Sequence, residues 1–270
     1  GKKMKFVKNS FKEIVDFLFF NYSHVQNSRM IFESFEETGA KCEFVTEKNI
    51  HEWQPDIKKQ YNCVVVYLHE PDHLKKINDL LDNSPSFKKS FLIQHDDTDN
   101  PNIQNWTNRK PDLVMQRELW KDSKNSRGVP VEPFHFPVSS VYDESFKQVN
   151  DVMFYGCMTS DKRRPFVDKV QELANGSLKN LKWDISIDDY DEIQKKKEHT
   201  NGGATEEYIR AINQCKVALH YFGNSRDSIR IWEAASTKAA LVMPKMRTKS
   251  VSDEYMPFTD YTIINDDISD

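Results

Sequence analysis

Apolar residues fall into two alternating patterns along the chain. Short, nearly continuous apolar blocks are separated by longer segments whose apolar positions recur three and four residues apart. Ile14–Phe20 (IVDFLFF) reads as the first strand, broken only by Asp16. Ser23 can cap a helix reaching Thr38, with Val25, Met30, Ile31 and Phe35 on one buried face and Gly39 as its stop. Cys42–Thr46 is the next strand, and Ile50–Lys59 reads as a polar helix. Cys63–Leu68 (CVVVYL) has the composition of a central parallel strand buried on both faces. Pro71–Leu81 follows as a helix with proline at its start, then come strands at Ser90–His95 and Leu113–Gln116. Strands separated in this way cannot be hairpins, so a parallel sheet is expected.

The stretch Lys121–Ser140 is first polar and then punctuated by prolines (VPVEPFHFPVSS), as a linker or a last strand leading into one would be. A second series begins beyond it. Strands are expected at Asp151–Tyr155, Leu181–Ile187, Val217–Phe222, Ala240–Met243 and Tyr261–Ile264. Helices are expected at Arg164–Ala174, Thr205–Gln214 and Asp227–Lys238. The expected fold class is therefore α/β, with two Rossmann-like parallel-sheet lobes facing a central cleft. The lobes are placed at residues 1–138 and 139–270.

Composition narrows the function classes. The 270 residues carry 38 Lys+Arg against 42 Asp+Glu, a formal charge of −4, so nothing points to nucleic acid as a partner. No apolar run approaches the roughly 18 residues of a membrane span, and the opening residues lack a secretory pattern. A cytoplasmic protein without a transmembrane segment is the expectation. Cys42, Cys63, Cys157 and Cys215 are scattered, without a CxxC pair, and read as reduced, buried thiols.

Open parallel sheets bind ligands beyond the carboxyl ends of their strands. In the first half those loops carry imidazoles and carboxylates: His24, His69-Glu70 and Asp96-Asp97-Thr98-Asp99. In the second half they carry glycines, hydroxyls and guanidinium groups, in Gly156–Arg164 and Gly223–Asp227. That asymmetry fits acid/base chemistry on one wall of a cleft and an anionic ligand on the other. Val217–Pro244 (VALHYFGNSRDSIRIWEAASTKAALVMP) is the most informative segment. A helix starting near Ser225 would offer free N–H groups to a diphosphate. Arg226 and Arg230, four apart, would share a face, and Arg230 would neighbour Glu233. The aspartate cluster has three readings: a catalytic base, a DxD metal site through Asp97 and Asp99, or a turn with capping aspartates. His220, inside an expected strand, reads as a core histidine.

The run Arg230–Pro244 (RIWEAASTKAALVMP) resembles the R-x-x-E-A-x-A segment in the second lobe of GT-B glycosyltransferases, especially the exostosin-like and spore-maturation CgeB-like branches. The resemblance extends over about Asp151–Pro244. It implies that Glu233 binds the ribose of a nucleoside-diphosphate sugar and Arg230 its diphosphate. It further implies that Gly156, Arg163 and Arg164, with Ser225 and Arg226, line the donor phosphates. Lys238-Ala239 stands where many members have Cys-Gly, and Ser225 and Arg226 stand where some retaining members have an acidic partner. An inverting transfer to a glycan or other hydroxyl acceptor is therefore expected. The base would be Asp96, Asp97 or His24, in that order. A UDP-sugar such as UDP-xylose or UDP-glucose is the favoured donor, and no cofactor or metal is expected. A UDP-sugar epimerase of the same fold and a non-catalytic two-lobed binding protein are the alternatives.

Overall fold

The structure, a computed structural model, describes residues 11–22, 26–67, 71–134, 140–158, 163–189, 191–192, 195, 204–223, 228–244 and 261–264. Their strands form two all-parallel sheets. The first contains β1 (Glu13–Tyr22), β2 (Cys42–Thr46), β3 (Lys59–Tyr67), β4 (Phe91–Asp96), β5 (Leu113–Gln116) and β6 (Val131–Pro133), in the order β2-β1-β3-β4-β5-β6. The second contains β7 (Asn150–Cys157), β8 (Trp183–Asp188), β9 (Cys215–Leu219), β10 (Ala240–Pro244) and β11 (Tyr261–Ile264), in the order β11-β10-β9-β7-β8. Numbered from its own first strand, each sheet begins 2-1-3-4-5. Each therefore has its switch point between its first and third strands, β1/β3 and β7/β9, where such sheets open a crevice.

Strand alternation explains how both faces are covered. In the first sheet Leu18, Phe20, Val64, Val66 and Leu92 pack with Ile77, Leu80 and Leu81 of α2 (Pro71–Asn83). Phe19, Cys63, Val65 and Ile93 point the other way, toward Ile31, Phe32 and Phe35 of α1 (Gln26–Glu37). In the second sheet Phe154 packs with Phe166, Val167 and Val170 of α3 (Arg164–Asn175). Met153 and Ala218 pack with Tyr208, Ala211 and Ile212 of α4 (Glu206–Gln214) and with Ile231, Trp232 and Ala234 of α5 (Ile229–Ala235). Asn213 of α4 also accepts from Asp143 N at 2.9 Å and donates to Val141 O at 2.7 Å, fastening the segment that enters β7.

Three expectations are corrected. Ile50–Lys59 is not a helix: residues 47–52 form turns and the chain then runs irregularly into β3. Pro55 lacks an N–H for a helix interior, and Asp56 Oδ1 accepts instead from Lys58 N at 2.8 Å, a local turn bond. The last strand before the Gly223 loop begins two residues and ends three residues earlier than expected, so Cys215 is in β9 and His220 lies beyond that strand's end. The following helix begins at Ile229 rather than near Ser225 or at Asp227, because Ser228 Oγ caps it by accepting from Arg230 N at 3.3 Å. It ends at Ala235, short of Lys238. No cysteine is disulfide-bonded, but Cys42 is only half-buried. Among the described residues, no helix is long and apolar enough to cross a membrane.

Candidate functional site

The second sheet's switch point holds most of the expected donor residues. Gly156 lies near the end of β7, and a side chain there would put its Cβ 2.8 Å from the Phe154 ring and 3.5 Å from Arg163 Nη1. The tight approach is to the Phe154 ring, whereas Arg163 stands at ordinary van der Waals distance. That guanidinium spans the crevice: Nη1 donates to Cys157 O at 2.6 Å, Nη2 to Tyr221 O at 2.6 Å and Nε to Phe222 O at 2.9 Å. Arg163 thus ties the carboxyl end of β7 to the segment leaving β9, with three of its five N–H groups committed to the protein. Arg164, one residue on, is exposed at the start of α3.

Arg230 is differently placed. Its guanidinium carbon lies 3.6 Å from the centroid of the Tyr208 ring, a cation–π stack on α4. Its Nη1 is 3.8 Å from Glu233 Oε2 and has no hydrogen-bond partner among the described residues. Glu233 is almost completely buried at 4% exposure, so the pair is not an ordinary surface contact. His220 sits among these groups. Burial, reinforced by the charges of Arg163 and Arg230, pushes its imidazole down to about 3 and keeps it neutral. Two guanidinium groups and a neutral imidazole beside the β7/β9 switch point, with a buried carboxylate next to one of them, are a chemistry that can accept an anion. Ser225 and Arg226 lie outside the described residues, and with them the helix face expected to be shared by Arg226 and Arg230.

The first sheet concentrates buried polar groups at the ends of β4 and β5. Asp96 is fully enclosed, and its Oδ1 accepts from Thr98 N at 2.9 Å and Thr98 Oγ1 at 2.6 Å. This is the capping-turn reading of that aspartate. Burial raises its carboxyl above the usual range despite those bonds. Asp97 accepts from Arg117 Nε at 2.7 Å and from Tyr67 Oη at 2.9 Å, and Asp99 accepts from Arg117 Nη2 at 2.7 Å. Arg117 Nη1 also lies 3.4 Å from the buried Glu118. A guanidinium is therefore the cation between the two carboxylates of the D-x-D pattern. His95 is held neutral, pushed down to about 3 by burial.

These two aspartates lie beside β5, one strand away from the β1/β3 switch point. His24, which lies outside the described residues, follows the last residue of β1 in sequence. Sequence reasoning missed Arg117, Tyr67 and Tyr208. Arg117 and Glu118 were visible as charges directly after a strand, but their partners lie about 20 residues earlier. No protein-family model matches the chain, and no curated protein matches it.

Proposed function

We propose that the chain is a GT-B glycosyltransferase that moves a sugar from a nucleoside-diphosphate sugar to a hydroxyl of a glycan or similar acceptor, with inversion. The observation that carries this reading is the pair Arg230 and Glu233 beside the β7/β9 switch point. An incompletely bonded guanidinium stacked on Tyr208 there adjoins a buried carboxylate. In this reading Glu233 accepts from the ribose hydroxyls. Arg230, and the N–H groups Arg163 retains, offset the charge that grows on the departing diphosphate. The first sheet presents the acceptor. His24, which follows β1 in sequence, is taken as the base ahead of Asp97, whose two oxygens are held by Arg117 and Tyr67, and ahead of the enclosed Asp96. The resemblance favours UDP as the nucleotide. Cationic side chains supply the leaving-group stabilisation, so turnover is expected to survive EDTA.

A thermal-shift series with UDP, GDP, ADP and TDP tests the donor half, since a ligand that binds only the folded chain raises its melting temperature. Glu233→Ala should lower affinity for the stabilising nucleotide at least tenfold by calorimetry, with the far-UV spectrum unchanged. Normal nucleotide affinity in that variant would remove the site assignment. Product formation from a panel of nucleotide sugars, with and without acceptor, then separates transfer from epimerisation.

A further inference from the structure

The face of the first sheet that buries Leu92 against α2 continues along β4 as Gln94 and Asp96. Asp96 is also the register partner of Gln116 on β5. All three polar side chains are at zero exposure. One segment covers them: Gln94 Nε2 donates to Gln104 O at 2.8 Å, Gln116 Nε2 to Asn100 O at 2.7 Å, and Asp96 Oδ1 accepts from Thr98. Those carbonyl acceptors fix which end of each glutamine amide is nitrogen. What remains is Gln94 Oε1, Asp96 Oδ2 and Gln116 Oε1, none with a hydrogen-bond partner among the described residues. All three are oxygens, and buried polar atoms are almost always paired. Asp96 and Gln116 face each other across β4 and β5, and buried acceptors with no donor among the described residues indicate an arrangement short of a proton.

We propose that Asp96 is held as the neutral carboxylic acid, its Oδ2 hydroxyl donating to Gln116 Oε1, and that this proton latches residues 98–104 onto the sheet. The proton turns one of the three acceptors into a donor and serves a second. Gln94 Oε1 alone is left over, a smaller cost than an ionised carboxylate facing two carbonyl dipoles. The described charged groups nearest Asp96 do not supply an alternative. Asp97 repels a second negative charge, and Arg117 is engaged by Asp97, Asp99 and Glu118. His95 and Tyr67, on the opposite face, are uncharged. Burial raises the Asp96 carboxyl, in the direction this arrangement requires. Asp96 is thereby a positioning residue: through Thr98 it sets the loop that delivers Asp97 and Asp99 to Arg117.

Asp96→Asn tests the idea, because its amide can donate to Gln116 at every pH while its oxygen still accepts from Thr98. The infrared spectrum of the wild-type chain at pH 7 should contain a protonated-carboxyl C=O band that Asp96→Asn lacks. A raised folded-state pKa gives stability that is complete below the unfolded value and is lost as pH rises through the folded one. The wild-type melting temperature should therefore fall relative to that of Asp96→Asn as pH rises from 5 to 9. Gln116→Met, which removes the acceptor, should shift the band rather than abolish it. Identical carboxyl regions for wild type and Asp96→Asn would overturn the proposal, as would a band unmoved in Gln116→Met. None of these readouts involves nucleotide, so they are independent of the donor-site reading.

Discussion

Arg163 and Arg164 are adjacent arginines at the start of α3, yet only the first is bonded into the fold, and replacing each by methionine separates a clamp from an exposed side chain. Arg163 makes three bonds to backbone oxygens at 2.6, 2.6 and 2.9 Å and is 9% exposed. A hydrogen bond from a charged donor contributes about 1.5–3 kcal/mol, so three would total about 4.5–9 kcal/mol if independent. They are not independent. The guanidinium is freed from its own desolvation in the unfolded chain, and half-buried Phe222 lets water reach one of the abandoned carbonyls. A net loss of about 3–5 kcal/mol is expected, in the range for breaking a buried charged contact. Arg164 is exposed, so its replacement should stay within about 0.5 kcal/mol of wild type. For a chain of this size the Arg163→Met loss corresponds to a fall of about 6–20 °C in melting temperature. Near-UV circular dichroism through a thermal ramp and a urea titration would measure both. An Arg163→Met protein that melts with wild type would refute the clamp, whatever its nucleotide affinity.

Further consequences follow from the same geometry. Arg117→Met leaves Asp97 and the buried Glu118 without their guanidinium and should cost about 3–5 kcal/mol in urea titrations. Gly156→Ala brings a methyl group within 2.8 Å of the Phe154 ring and should cost about 1–3 kcal/mol by urea titration. His95 and His220 are both lowered to about 3, so each contributes stability that is present above the unfolded value and lost as pH falls. From an unfolded pKa of about 6.5, lowering the pH to 5 should remove about 2 kcal/mol for each, and His220→Asn should abolish about half of that dependence in pH-resolved melts.

What was legible in the sequence follows from what each element needs. Short apolar or β-branched blocks bounded by turn residues mark strands even where burial is partial, and β2 and β5 appear at the expected residues. β3 begins at Lys59, four residues earlier than its apolar run, because Lys59 and Tyr61 both reach Glu43 on β2. That support comes from 16 and 18 residues away and leaves no trace in local periodicity. The short helix after β9 failed in the same way: Ser228, not Asp227 or Ser225, was the cap, and several serines and aspartates in the run could have served equally.

The candidate site was legible as residue types and illegible as pairings. Arg117, Arg163 and Arg230 are chemically identical, and each lies just beyond a strand end or on the element that follows. Their roles diverge through the acceptors within reach of each guanidinium: carboxylates for Arg117, three backbone carbonyls for Arg163, and an aromatic face with one carboxylate at 3.8 Å for Arg230. A guanidinium whose donors are consumed by its own chain holds a crevice open, whereas one left short of acceptors can bind what enters it. Sequence spacing selected Arg230 correctly as a neighbour of Glu233 but ranked Arg163 with it. The feature that separates them, the approach of the β9 exit to the end of β7, depends on contacts 58 and 59 residues apart.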